Sequence, residues 1–370
     1  MKVLQVLSMY VGDGSYGGPA SVAVSQTFGL REVGLDATLI AGKWRQDIWP
    51  KSLPIRGFRA IRIWPRSGWA GLASPGMVSW LLRRVRDYDV VHIHLSRDVT
   101  TVVAALICIV LRRPFVVQSH GMILQKSSAI FRSFDWFFIR PILRRAYIVL
   151  FLTSDERDSL DLVAGCKLNS RALYNGISSF PFMDEPVGGV KNVLYVSRLH
   201  SRKRPELFIE MASILISRGL SPRFSMIGPD EGMGSIVESA ATAMEQLKWL
   251  GAKAPGDITY LMQQCHVYVL TAVDEPFGMT VLEAMSAGRP VVIPESCGLS
   301  DAVREHRAGF VVGETASQFA DAVSMLLTDG TLRREMGMNG LRAARSVFSS
   351  AAVVEQLGSI YDSAASWENR

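Results

Sequence analysis

The fold turns on Asp274-Glu275-Pro276-Phe277-Gly278-Met279-Thr280-Val281-Leu282-Glu283-Ala284-Met285-Ser286-Ala287-Gly288-Arg289-Pro290. It follows the apolar run Val267–Leu270, a predicted strand, and opens a helix that stops at Gly288, a good C-terminal cap, before a further strand. Gly278 lets a ligand approach the backbone closely, and the amides of Gly278, Met279 and Thr280 lie at the positive end of the helix. A diphosphate suits that position. Glu283 lies roughly 7–8 Å into the helix at about 1.5 Å per residue, whereas Glu275 precedes it on the loop. Two carboxylates placed in this way can accept hydrogen bonds from a sugar and a ribose on either side of a diphosphate. The bland alternative is a capped helix with one solvated glutamate.

Outward from this segment, short Val/Ile/Leu runs alternate with helical patterns, which implies parallel sheets with crossover helices. Strands are expected at 2–10, 36–41, 90–94, 115–119 and 148–153. A second set follows at 191–196, 223–227, 267–270, 290–293 and 309–312, with helices near 205–218, 235–247, 279–287, 317–327 and 331–346. The expectation is two Rossmann-like, doubly wound α/β domains, 1–183 and 184–350, joined around Phe180–Gly189, with a C-terminal helix in 351–370 returning to the first. In such folds ligands bind beyond the carboxyl ends of the strands, so a cleft between the halves is the expected site.

Composition narrows the class. Of 370 residues, 48% are hydrophobic and 20% charged, as in a globular protein. Cys108, Cys166, Cys265 and Cys297 form no CxxC pair, so neither a disulfide framework nor a zinc site is expected. The opening residues do not read as a signal peptide, and the apolar run Val102–Leu111 is too short to span a bilayer. A cytoplasmic protein is expected. The net charge of +6 is uneven: residues 1–185 carry 23 Lys and Arg against 14 Asp and Glu, and the rest 17 against 20. A basic first half suggests an anionic neighbour. Nucleic acid is the weakest choice, because no zinc-finger spacing, basic heptads or RNP-like signature is found.

Gly12, Gly14 and Gly17 match G-x-G-x-x-G, but the second strand ends Ile40-Ala41-Gly42-Lys43 with no acid to hold a ribose, which argues against a dinucleotide enzyme. Gly17 and Gly18 instead open a helix through Pro19, where exposed amides attract phosphate. Phe115–His120 is an apolar strand that ends in a polar residue, so His120 is expected to face the cleft. His92 and His94 are two apart on one strand and share a face; core packing is preferred there to metal binding. Five tryptophans in 43–86 and the run Phe131–Arg140, with Arg144 and Arg145, interleave aromatic and basic residues in the manner of a headgroup-binding surface. A core helix with a basic edge is the alternative.

Glu275 and Glu283 resemble the two glutamates of the E-x7-E motif of retaining family-4 glycosyltransferases with the GT-B fold. The resemblance covers nearly the whole chain: Gly17-Gly18-Pro19 is similar to the family's glycine loop, Asp89–His94 to its third strand, and Tyr174-Asn175-Gly176-Ile177 to its Asn-Gly turn. Tyr195–Lys203 resembles its Gly-Arg-Leu…Lys segment, with Ser197 in place of the glycine, and Gly228–Gly232 departs from the family's Gly-x-Gly. The resemblance implies that Arg198 and Lys203 hold a donor pyrophosphate, that Ala252 lies beside the base, and that His120 is the active-site histidine, bonding the transferred sugar. It places the donor against Phe277, Gly278, Met279, Thr280 and Glu283, with Glu275 catalytic. It further implies a metal-independent hexosyltransferase that uses a UDP- or GDP-sugar and no other cofactor. The basic first half with its aromatic and cationic stretches leads to the expectation of a glycan or lipid-linked acceptor of surface polysaccharide or lipopolysaccharide, with the enzyme peripheral on the cytoplasmic membrane face. A nucleotide-sugar epimerase of the same fold is the alternative, and a non-catalytic nucleotide binder a third.

Overall fold

A computed structural model describes residues 1–11, 18–44, 49, 55–63, 71–124, 128–178, 180, 182–184 and 189–367. The chain divides into two compact units, Met1–Gly176 with Ser350–Arg370, and Ile177–Ser349.

The first unit contains β1 (Lys2–Met9), β2 (Asp36–Lys43), β3 (Ile55–Arg59), β4 (Ile61–Arg62), β5 (Leu72–Ala73), β6 (Val90–His94), β7 (Phe115–Gln118), β8 (Ile148–Phe151) and β9 (Ser170–Ala172). Seven of them form a parallel sheet in the order β3-β2-β1-β6-β7-β8-β9; β4 and β5 make a small antiparallel pair. The chain runs outward from β1 and then from β6 in opposite directions, so the order reverses between those two strands. Ligands in open parallel sheets bind at that reversal, beyond the carboxyl ends. Every residue of β6 and β7 is buried, which is why these strands read as unbroken apolar runs with His92, His94 and Gln118 as polar intrusions. The helix Ser350–Ala365 seats Val353, Leu357, Ile360 and Tyr361 against Val3, Leu30, Val90 and Val116. The chain passes to the second unit after Gly176, ahead of the stretch 180–189, and returns at Ser350; Ile177 N–H donates to the Phe348 carbonyl at 2.8 Å.

The second unit contains β10 (Asn192–Val196), β11 (Arg223–Ile227), β12 (Leu247–Trp249), β13 (Val267–Val269), β14 (Val291–Pro294) and β15 (Gly309–Val312), all parallel, in the order β12-β11-β10-β13-β14-β15. Its reversal lies between β10 and β13. The helix expected over 235–247 ends at Ala243: Met244 turns extended, Gln246 accepts a hydrogen bond from Phe224 N–H, and Leu247 enters β12, where its side chain is buried. β3 and β9, absent from the expected strands, lie at the sheet edges with mostly part-exposed residues, and so lack an apolar run to announce them.

Candidate functional site

At the carboxyl end of β10 the chain makes a tight turn, Ser201–Lys203, passes through a left-handed Arg204 (φ 48°) and enters the helix Pro205–Ser217. Thr271, just beyond β13, ties that turn down: its hydroxyl lies 2.9 Å from both the Lys203 and Arg204 carbonyls. Val273 N–H donates to the Arg202 carbonyl at 2.9 Å, and the Arg202 guanidinium to the Asp274 carbonyl at 3.1 Å. Tyr195 hydroxyl reaches the Lys203 carbonyl at 3.3 Å. The two loops therefore hold one another, and the Lys203 ammonium forms an ion pair with the Glu275 carboxylate. Their side chains are only 20% and 18% exposed, well shielded for a pair at a loop. Arg202 and Arg204 are structural pins: Arg204 pairs with Glu314 at 3.1 Å.

Beyond Glu275 the backbone reaches Gly278 at φ 84° and starts the helix Met279–Ser286. A β-carbon on Gly278 would adopt a conformation that L-residues avoid and would press on Cys297 Sγ at 3.3 Å. The first N–H groups of the helix have no acceptor within it and carry its positive end. Thr280 Oγ1 accepts a hydrogen bond from Tyr268 hydroxyl at 2.6 Å, so its side chain is pinned to β13. Phe277 is buried and packs inward. Glu283 is half-buried, and burial pushes its carboxyl up to about 7.

This shift has a testable sign. The folded chain holds the Glu283 proton more tightly than the unfolded chain, so stability is lost as pH rises from the ordinary glutamate range through about 7. Glu283→Gln removes that loss. The variant is expected to melt several degrees above wild type at pH 8 and close to it at pH 4.5, by thermal unfolding at both pH values. A variant that loses stability at pH 8 contradicts the reading.

Arg198 sits elsewhere than beside Lys203's carboxylate: its guanidinium contacts both oxygens of Glu231 at 3.0 Å. With Arg198 61% exposed, the pair is weak and readily exchanged. Glu231 belongs to the loop Gly228–Gly232, to which the sequence assigned no contact. Asp230 shapes that loop by accepting from Gly232 N–H and Gly234 N–H at 2.8 and 2.7 Å, bonds that hold its carboxyl below the usual range. Gly228, at φ 148°, admits no β-carbon, since one would lie 1.9 Å from the Ser197 carbonyl oxygen. Gly228 also receives the loop after β12: its N–H donates to Gly251, and Trp249 Nε1 to its carbonyl, both at 3.0 Å. Ala252 follows, exposed, on that loop.

In the first unit, His120 follows β7 in a left-handed turn (φ 51°) and is buried. Three bonds to one buried carboxylate hold that turn: Glu156 Oε1 accepts from Ser119 hydroxyl at 2.5 Å and from Gly121 N–H at 2.6 Å, and Oε2 from Leu152 N–H at 2.7 Å. Glu156 escaped the sequence reading, although Thr153-x-x-Glu156 carries the capping signature, and Thr153 hydroxyl does accept from Glu156 N–H at 3.2 Å. His94 lies between His120 and Gln5: its Nδ1 is 2.8 Å from His120 Nε2, and its Nε2 3.1 Å from Gln5 Oε1. Burial, with repulsion from His120 at His92 and from both His92 and His120 at His94, keeps all three imidazoles neutral; His92 and His120 are pushed down to about 3. His92 turns away to Tyr361 hydroxyl at 2.7 Å. His120 Nδ1 is the ring nitrogen left over, buried and without a partner among the described residues.

Gly18 is the first residue of the helix Gly18–Glu32; Gly17, Gly12 and Gly14 lie outside the described residues. The aromatic stretches divide. Trp80 is buried against Phe58 and Tyr88, with Arg56 over its ring at 5.3 Å, which corrects its place in a surface patch; Trp64 and Trp69 lie outside the described residues. In the second stretch Ile130, Trp136 and Phe137 are 81%, 60% and 69% exposed, and Arg140 stacks over Trp136 at 4.2 Å.

Residues 183–343 match the family of glycosyl transferases group 1, and residues 17–168 the glycosyl transferase 4-like domain. The D-inositol 3-phosphate glycosyltransferase of Corynebacterium glutamicum is 29% identical over 188 residues, 48% of this chain and 45% of that protein. Matches to such curated relatives thus span somewhat under half their length. The alpha-D-kanosaminyltransferase of Streptomyces kanamyceticus is 26% identical over 323 residues, 80% of this chain and 83% of its own. Among solved structures, Anabaena Alr3699/HepE in complex with UDP superposes with a TM-score of 0.78 at 18% identity, covering 98% of this chain and all of that one. Sucrose-phosphate synthase of Thermosynechococcus elongatus gives 0.75 at 19%, over 98% and 99% of the two chains.

Proposed function

The chain belongs to the glycosyltransferases of the GT-B fold, a 4-like domain followed by a group 1 domain, and from that premise we propose that it transfers a hexose-type sugar, with retention, from a UDP- or GDP-sugar to a glycan or lipid-linked acceptor of surface polysaccharide. The observation that carries this reading is the shielded Lys203–Glu275 pair beside the Gly278 helix start. In the resting protein the two charges neutralise one another. With a sugar diphosphate present, the ammonium turns a proton toward the leaving phosphate, the carboxylate accepts from sugar hydroxyls, and the N–H groups of Gly278, Met279 and Thr280 face the developing charge. Glu283 accepts from the ribose, Ala252 borders the base, and His120 bonds the transferred sugar through its remaining nitrogen. Gly17 and Gly18 add phosphate-binding amides. A histidine held near 3 serves as a neutral hydrogen-bonding group near pH 7 rather than as a proton carrier. No covalent nucleophile and no metal is invoked; Arg198 and Lys203 carry the neutralisation.

Arg198 must leave Glu231 to do this. Glu231→Gln frees it and is expected to tighten nucleotide binding about two- to fivefold, the scale of an exposed ion pair. Titration calorimetry of wild type against the variant reads the change; weaker binding in the variant speaks against Arg198 as a phosphate ligand.

UDP and UDP-glucose occupy the Anabaena neighbour in its solved complexes, so uridine donors come first in the test. A thermal-shift screen of UDP-, GDP-, ADP- and CMP-sugars selects the donor, and NMR of the product formed with trial acceptors reads the anomeric outcome. An inverted product, or donor turnover without an acceptor, counts against the proposal. No helix among the described residues is long and apolar enough to cross a membrane. Peripheral attachment at the cytoplasmic face rests on the exposed Ile130, Trp136 and Phe137 with Arg132 and Arg140. Trp136→Ala with Phe137→Ala is expected to abolish co-sedimentation with anionic vesicles; failure of the wild-type protein to sediment at low salt defeats the idea.

A further inference from the structure

Two arginine pairs meet at the edge of the first sheet opposite to His94 and His120. Arg112 and Arg113 immediately precede β7, and Arg144 and Arg145 close the helix that precedes β8. Because β7 and β8 pair in parallel, with Val116 opposite Ile148, the topology sets the two entry points side by side. The four side chains line a cavity of about 410 Å³ together with Phe115 and Trp367. Among the described residues none of the four has a carboxylate within ion-pair distance, and no acidic one lines the cavity. Arg113 donates to the Tyr88 carbonyl, while its Nε is buried without a partner among the described residues. Arg144 is aimed by Nε to the Ala164 carbonyl at 2.8 Å and by its second nitrogen to Gly165 at 3.4 Å. Arg112 and Arg145 are exposed at the rim.

Helix ends explain part of this charge but not all of it. The helices Val99–Val110 and Arg140–Arg145 both point their C-termini here, each equivalent to about −0.5 charge. Together they offset about one of four positive charges. Guanidinium forks match tetrahedral oxyanions bidentately, and the volume falls within the range of small-ligand pockets. Trp367, held by Tyr147 at 5.5 Å between ring centroids, gives the organic part of such a ligand an aromatic wall. We propose that this cavity binds an organic phosphate, either a free phosphomonoester or a phospholipid headgroup, at a site separate from that of the sugar donor.

The test is Arg112→Gln with Arg145→Gln, two rim residues outside the proposed reaction, with thermal unfolding as the check on folding. Glycerol phosphate titrated calorimetrically is expected to bind wild type about tenfold or more tighter than the double variant, and equally well to Lys203→Ala. If the natural source is a lipid, phosphatidylglycerol vesicles rather than phosphatidylcholine ones sediment the wild type and lose the double variant, with Trp136 and Phe137 intact in both. Equal binding of glycerol phosphate and of vesicles by wild type and double variant overturns the proposal. So does loss of the glycerol phosphate signal in Lys203→Ala, which would place the anion at the donor site.

Discussion

Lys203→Ala is expected to lower kcat/KM for sugar transfer by about 10²–10³, the scale on which one preorganised electrostatic donor acts at a developing anion. The reasoning begins with the fold. Three donors, the Thr271 hydroxyl shared between two carbonyls, the Val273 N–H and the Arg202 guanidinium, fasten the Lys203 turn to the loop before Gly278, so the ammonium is placed before any ligand arrives. Its removal also leaves Glu275, 18% exposed, without its cation, and some loss of stability should accompany the loss of rate. Glu275→Gln separates the two effects. The double variant Lys203→Ala, Glu275→Gln should regain the stability lost in the first while remaining inactive. Steady-state kinetics and thermal unfolding of the three variants form a cycle. Transfer at the wild-type rate in Lys203→Ala would remove the pair from the mechanism.

Much of this site was legible one segment at a time and almost none of it pairwise. Gly278 and Gly288 could be read as the start and stop of a helix because both conformations there, φ 84° and 73°, belong to glycine. The ion pair could not, since 72 residues separate Lys203 from Glu275 and only the adjacency of β10 and β13 joins them. His92 and His94 could be assigned one face by period alone. That His94 is the one to meet His120 depends on the register of β6 on β7, His94 opposite Gln118, which no local pattern encodes. The tryptophans show the same limit. Trp80 and Trp136 each stand among arginines, yet one is 8% and the other 60% exposed, because Phe58 and Tyr88 close over the first. Strands at the sheet edge escaped notice for lack of an apolar run, and the residue that holds the His120 turn escaped because a capping glutamate looks local.

That residue carries the second large effect. Glu156→Leu strips acceptors from Ser119 hydroxyl, Gly121 N–H and Leu152 N–H at once, in a site where the side chain is 2% exposed. At about 1–3 kcal/mol for each buried donor left unsatisfied, the loss should reach about 3 kcal/mol or more, read as a lowered denaturant midpoint. Glu156→Gln is the sharper probe. Its amide oxygen can keep Ser119 and Gly121 while its NH2 group opposes Leu152 N–H, so one bond fails rather than three. The left-handed His120 turn persists only while its surroundings hold it. If Glu156 acts through that turn, the transfer rate of Glu156→Leu should fall to that of His120→Ala, and the two changes combined should cost no more activity than either alone. Additive losses would mean that Glu156 serves the core of the first unit and leaves His120 in place without it.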